Sequence, residues 1–227
     1  MKIGIDRRRR SLALEKNFWS QGFNIVIGSD EAGRGPLAGP VAAGTIAILG
    51  KTSHLLSLKP LLEGVDDSKK LSPLRRRELF GLLTKQPWIA WASGLASVEE
   101  IDTFNILQAT KLAMERAVGK IVRRLGGGEA NICCVLDGNF AINVGCEQTS
   151  VVGGDASVFS VAAASIIAKV TRDRIMERLD VRYPGWGFAV HKGYPTPKHL
   201  RMLARRRPSP IHRRSFAPVA ESLRRRR

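Results

Sequence analysis

The stretch Phe23-Asn24-Ile25-Val26-Ile27-Gly28-Ser29-Asp30-Glu31-Ala32-Gly33-Arg34-Gly35-Pro36 passes from an apolar, β-branched run into two adjacent acids and a glycine turn. A short run of this kind, closed by a turn signal, reads as a buried strand. It delivers Asp30 and Glu31 to its C-terminal edge. Carboxylates bind hard metal ions through oxygen. Glycine amides in a tight turn can approach an oxygen-rich ligand closely. Adjacent acids at the end of a buried strand are costly to desolvate without a compensating charge. The segment points to a metal-dependent site for a substrate bearing phosphate or hydroxyl groups.

Moving outward, Val41 to Leu49 reads as a second strand, close enough in sequence to form an antiparallel, hairpin-like pair with the first. Residues 60–72 read as a loop centred on Asp66-Asp67-Ser68-Lys69-Lys70. Ser72-Pro73 then opens a helix, with serine as N-cap and proline at the first helical position, running to about Lys85. Ile89 to Ser97 alternates as a third strand. Residues 98–124 carry Ile101, Phe104, Leu107, Leu112, Met114 and Val118 at roughly helical spacing. Asn131 to Leu136 is an apolar strand ending in Asp137-Gly138, and Thr149 to Gly153 is a short fifth strand. Ala156 to Leu179 reads as a helix whose Ala/Ser-rich first half can lie close to a sheet. Tyr183 to Pro197 is a Gly/Pro/aromatic loop, and 197–206 a last short helix. The order predicts an α/β fold: a five-stranded mixed sheet flanked by helices, in one domain. That domain is expected over residues 21–205, after a basic N-terminal arm (1–20) and before a basic C-terminal tail (206–227).

The bulk properties suit this. The chain has 227 residues, 44% hydrophobic and 25% charged, which are globular values. No apolar run is long enough to span a membrane, and the basic start is not followed by a signal core, so a cytoplasmic location is expected. Cys133, Cys134 and Cys146 form no metal or disulfide pattern and read as reduced thiols. The formal charge is +17, and most of it lies in residues 1–10 and 198–227. Basic arms attract polyanions and raise encounter rates. They suggest a nucleic-acid partner but do not identify a chemistry.

Four acids fall at element ends: Asp30 and Glu31 after the first strand, Asp137 after the fourth, and Asp155 after Gly153-Gly154 and before a helix. Taken alone, Asp155 reads equally as an N-cap and Asp137 equally as a turn former. Taken together, acids from separate strand ends can converge at one sheet edge, where they would repel one another. A divalent cation removes that repulsion, and two such ions support in-line phosphodiester hydrolysis.

Five motifs, in order and in register, decide between these readings. Ser29-Asp30-Glu31-Ala32-Gly33-Arg34-Gly35-Pro36-Leu37-Ala38-Gly39-Pro40 resembles the opening motif of the ribonuclease HII family. So do Asp67-Ser68-Lys69-Lys70-Leu71, Leu136-Asp137-Gly138, the run from Ala162 through Lys169 to Asp173, and His191-Lys192-Gly193-Tyr194-Pro195-Thr196. Pro210 to Phe216 is similar to a common ending, so the resemblance covers about residues 20–219. It implies a ribonuclease H-like fold with a C-terminal helical extension, and Mg²⁺ or Mn²⁺ held by Asp30, Glu31, Asp137 and Asp155. It further implies a ribose 2′-hydroxyl read by Gly33, Arg34 and Gly35, a neighbouring sugar packed on Tyr194, and backbone phosphates near Lys69 and Lys70. The implied substrates are RNA–DNA hybrid and duplex DNA containing a ribonucleotide, cut by a monomer to leave 3′-OH and 5′-phosphate ends. The related ribonuclease HIII proteins carry an added N-terminal domain and usually a lysine in the glycine turn. Here only about 22 residues precede the first strand and position 34 is arginine. One departure is Gly153, where many relatives have lysine.

Two other readings stay beside this one: a basic nucleic-acid-binding protein without catalysis, and another nuclease or transferase of the same fold. His191 and His199 flank the tyrosine loop but lack the spacing and cysteine partners of a zinc site. Trp88, Trp91 and Trp186 read as core rather than as base-stacking platforms.

Overall fold

The structure, a computed structural model, describes residues 11–49, 61, 63–126 and 131–225. The four arginines Arg7–Arg10 and the last two of Arg224–Arg227 lie outside the described residues.

Among the described residues five strands form one sheet: β1 (Ile25–Ala32), β2 (Val41–Leu49), β3 (Ile89–Ala96), β4 (Ile132–Asp137) and β5 (Glu147–Val151). Their spatial order is β3-β2-β1-β4-β5. β1 pairs antiparallel with β2, and β2 with β3, whereas β1–β4 and β4–β5 are parallel. The parallel half directs the C-terminal ends of β1, β4 and β5 to one edge of the sheet. β5 begins two residues before the sequence-based reading, because pairing with β4 starts at Glu147 opposite Cys133.

The helices bounded by described residues are α1 (Ala13–Ser20), α2 (Pro73–Thr84), α3 (Val98–Arg124), α4 (Gly154–Ser157), α5 (Phe159–Arg182), α6 (Phe188–His191), α7 (Pro197–Arg205) and α8 (Ala217–Arg224). Alternation along the strands builds a core on each face of the sheet. Val26, Ile46, Ile48, Cys133 and Val135 pack with α1, α2 and α5. Ile27, Val41, Ala47, Cys134 and Leu136 pack on the other face with α3. The Ala/Ser-rich half of α5 lies hard against the sheet. A Cβ at Gly28 would fall on the Ser160 carbonyl, and one at Gly44 on the Ala164 carbonyl.

Several boundaries differ from the sequence-based expectation. The helix expected over 156–179 is two: the single turn α4, then α5 from Phe159, separated by extended Val158. α3 is broken at Asn105 (φ 70, ψ 166), whose side chain accepts from the amides of Leu107 and Gln108 as a fresh N-cap. The break turns Phe104 and Leu107 outward, so both are exposed despite their helical spacing.

Both basic ends carry helical structure of their own. Within 1–20, residues 13–20 form α1, which buries Leu14, Phe18 and Trp19. It also buries Glu15, whose Oε1 accepts from the Ser160 amide at 2.8 Å, in the first turn of α5. Within 206–227, His212 and Arg213 are buried and α8 packs into a third apolar cluster with Trp186, Phe188 and Leu203. The basic composition of both ends concealed short amphipathic segments that need the rest of the fold to cover them. Trp88 and Trp186 are core, and Trp91 packs edge-on against Phe80. No helix among the described residues is long and apolar enough to cross a membrane.

Candidate active site

The parallel register places the acids. Ser29 lies opposite Leu136, so Asp30 and Asp137 leave adjacent strands at the same level. Asp155 comes four residues beyond β5, in α4. One carboxylate oxygen from each of Asp30, Asp137 and Asp155 lies within 4.8 Å of the others. The strand ends are tied together: the Gly154 amide donates to Asp137 Oδ1 (2.8 Å) and the Gly138 amide to the Val151 carbonyl (3.1 Å). Asp155 is not the N-cap of α4, a position held by Gly153 with no side-chain hydrogen bond; it faces two other acids instead.

Electrostatics follow from the crowding. Burial, followed by the charges of Glu31, Asp137 and Asp155, holds the Asp30 carboxyl well above the usual carboxylate range. Burial likewise raises Asp137, against an amide hydrogen bond from Gly154, and Asp155 raises it further. Glu31 stands outside the close trio. Its Oε1 pairs with Arg34 at 3.4 Å, and burial raises it while Arg34 opposes. Its Oε2 is buried with no hydrogen-bond partner among the described residues. Three converging carboxylates and an orphaned fourth oxygen form a donor set suited to a hard divalent cation, which would favour the ionised forms.

Lys69 reaches the cluster from the loop before α2, its Nζ 3.6 Å from Asp155. Burial alone would lower its ammonium, yet Asp155, Asp30, Asp67 and Asp137 together raise it. Lys70 is exposed in the same turn, its amide bonded to the Asp67 carbonyl at 2.9 Å. Gly153 sits in the left-handed region (φ +70) with open space where a side chain would project. A lysine there would fit sterically but would strain the backbone.

The glycine turn and Tyr194 lie side by side: a Cβ at Gly35 would stand 3.8 Å from the tyrosine ring. Tyr194 is 40% exposed, with Lys169 Nζ and the Arg172 guanidinium each 5.9 Å from its ring centre. Gly33 has φ +103, and a Cβ there would collide with the Arg172 side chain. Among the described residues nothing accepts from the amides of Gly33, Arg34 or Gly35.

Beneath this surface lie groups to which sequence reasoning assigned no role. Arg172 is fully buried and donates to the carbonyls of Ala38 (3.1 Å), Pro40 (3.0 Å) and Lys192 (2.9 Å). Arg213 is fully buried and donates to Gly33 (2.6 Å), Arg34 (2.9 Å) and Gly39 (3.0 Å). Burial pushes the two guanidiniums down to about 10 and about 9, still cationic at neutral pH. Neither makes an ion pair with a carboxylate among the described residues. His199 and His212, also buried, meet at 3.0 Å. A signal for Arg172 was present: Ala164, Ala168, Arg172 and Met176 form a stripe of four-residue spacing, and all four are buried.

Comparison with known proteins bears on this arrangement. The family described as ribonuclease HII matches residues 27–219. A ribonuclease HII of Burkholderia ambifaria is 45% identical over 222 residues, covering 97% of this chain and 95% of that protein. Among solved structures, the ribonuclease H2 of Pyrococcus horikoshii aligns with a TM-score of 0.68 at 28% identity, covering 88% of this chain and 98% of the other. Bst-RNase HIII, solved in complex with Mn²⁺, aligns with a TM-score of 0.71 at 19% identity, covering 92% of this chain and 73% of the other, and supports the fold alone. With a mixed sheet, an acid edge and an adjoining glycine turn in place, this chain belongs to the ribonuclease HII family, endonucleases of the ribonuclease H type that act on RNA–DNA hybrids.

Proposed function

We propose that this protein is a divalent-metal-dependent endonuclease that cuts on the 5′ side of a ribonucleotide, in a hybrid or singly embedded in duplex DNA. The products would be 3′-OH and 5′-phosphate ends, and the role removal of ribonucleotides from DNA. The convergence of Asp30, Asp137 and Asp155 next to the Gly33-Arg34-Gly35 turn and Tyr194 carries this reading.

Asp30, Asp137 and Asp155, with Glu31 through its unpartnered oxygen, would hold Mg²⁺ or Mn²⁺. When bound, the cation supplies charge neutralisation and Lewis acidity for phosphodiester hydrolysis. The free amides of Gly33, Arg34 and Gly35 suit the ribose 2′-hydroxyl, the group that separates RNA from DNA. Tyr194, beside that turn, packs on the next sugar and tests for deoxyribose. Lys69 and Lys70 attract the strand through its phosphates. The protein would act as a monomer, as the family resemblance implies. The three cysteines are free, consistent with a reducing cytoplasmic setting.

The test is a labelled duplex carrying one ribonucleotide, incubated with Mg²⁺, with Mn²⁺ and with chelator. A metal-dependent cut 5′ of the ribose is expected, with the all-DNA control intact. No cut, or an equal cut in the control, overturns the reading.

A further inference from the structure

We propose that the C-terminal segment is part of the ribose-reading apparatus, with Arg213 setting the Gly33-Arg34-Gly35 turn and His212, through His199, setting Tyr194. This deepens the reading above and rests on it. The two residues are positioning residues: neither reaches the substrate side of the turn.

The first half of the argument is Arg213. Its three donor nitrogens are all occupied by carbonyls of the turn region, and its own amide donates to the Leu37 carbonyl at 2.9 Å. A guanidinium is a rigid, planar fork. Gripping the carbonyls of Gly33 and Arg34 from the buried side fixes the orientation of those peptide planes. The amides of Gly33 to Gly35 are left without acceptors among the described residues. Arg172 clamps the same loop through Ala38 and Pro40 and extends the grip to Lys192, two residues before Tyr194.

The second half is a chain of hydrogen bonds with only one consistent direction. The Tyr194 carbonyl can only accept, so His199 Nδ1 carries a proton (2.9 Å). In the neutral ring His199 Nε2 is then bare and accepts from His212 Nε2–H (3.0 Å). That leaves His212 Nδ1 bare, and it accepts from the Ser209 amide (3.0 Å). Every polar atom of both rings is satisfied with both neutral. Burial in the apolar cluster favours that state. The Leu37 amide donates to the Gly193 carbonyl (2.8 Å) and the Gly39 amide to the Ile211 carbonyl (2.9 Å), so the turn, the tyrosine loop and residues 209–213 form one block. The spacing between the 2′-hydroxyl reader and the sugar-packing ring is thus set from the C-terminal segment.

The experiment uses the full chain labelled with 3-fluorotyrosine. The protein has two tyrosines, so fluorine NMR shows two resonances, and Tyr183→Phe assigns them. Arg213→Lys, His212→Leu and the conservative His212→Gln are compared for thermal midpoint, for the Tyr194 resonance, and for affinity in Ca²⁺ toward a duplex with and without one ribonucleotide. In folded Arg213→Lys and His212→Leu the Tyr194 resonance is expected to move, and the preference for the ribonucleotide duplex to fall about tenfold. His212→Gln, which keeps a donor toward His199, should recover most of both. If His212→Leu does not fold, Arg213→Lys and His212→Gln carry the test. An unmoved resonance with unchanged preference in folded variants overturns the inference. A wild-type protein with no ribonucleotide preference instead overturns the proposed function, and the fluorine signal still reports on the coupling.

Discussion

The acid edge and the block beneath the glycine turn are both rich in buried charge, and they treat it in opposite ways. At the edge, Asp30, Asp137 and Asp155 face one another, with Lys69 the nearby cation, and Glu31 keeps an oxygen without a partner. Beneath the turn, each of the three nitrogens of Arg172 and of Arg213 donates to a backbone carbonyl, and the histidine pair is satisfied atom by atom. An unsatisfied cluster is poised to take up an external ion. A satisfied one holds shape, because breaking it strands buried polar groups.

The comparison breaks hardest at Asp137. Asp137→Asn is expected to lower cleavage by several orders of magnitude while duplex binding persists. Without metal the same variant should melt no lower than wild type, since a mutual repulsion is relieved. Mg²⁺ or Mn²⁺ at a hundred times its dissociation constant should stabilise wild type by about 2.7 kcal/mol, and the variant far less; calorimetry across a metal series checks both. The opposite pattern is expected at Arg172. Arg172→Met strands three carbonyls at about 1–3 kcal/mol each, so a loss of about 3 kcal/mol or more should appear in urea melts, metal present or absent. A variant as stable as wild type would remove the distinction between the two regions.

A pH series sharpens the contrast further. Burial lowers His199 to about 4 and His212 to about 3, from 6.5. Between pH 6.5 and about 4 the unfolded chain binds protons that the folded rings do not. Their contribution therefore falls as pH falls through that window. The acid edge runs the other way: burial raises Asp30 and Asp137, so the folded chain holds protons the unfolded chain has released, and stability from this source rises as pH falls. Replacing both histidines by glutamine should flatten the acid-side loss of metal-free stability, and Asp137→Asn should steepen it. The smallest effect concerns α1. Glu15→Ala removes the acceptor for the Ser160 amide and should cost about 1–2 kcal/mol, with the embedded-ribonucleotide cut unchanged in rate per folded molecule.

Local sequence carried much of this. The strands were legible because β-branched runs and turn residues act within a few positions, and the antiparallel β1–β2 pair followed from the short connection. Ser72-Pro73 at the start of α2 was legible because capping is local, and the Ser72 side chain accepts from the Arg75 amide. The break in α3 was not, because apolar spacing continues through Asn105 and only the backbone turn exposes Phe104 and Leu107. α1 was concealed by the basic residues before it, and α8 by those after it. Among the site residues, Asp30 and Glu31 announced themselves by adjacency, whereas Asp137 and Asp155 read on local grounds equally as turn former and cap; the family resemblance joined them to Asp30, and the parallel register shows how they come to lie beside it.

What the sequence by itself determined were the strands and most of the helices, the acids at their ends and the glycine turn, since each depends on neighbours along the chain. Only the tertiary structure decided that carboxylate oxygens of Asp30, Asp137 and Asp155 lie within 4.8 Å of one another with Glu31 outside that trio, and that Arg172 and Arg213 are buried under the turn. Arginine's local preference is for solvent. It stays buried here because six backbone carbonyls from distant segments converge on the two side chains, an arrangement that exists only once those segments are packed together.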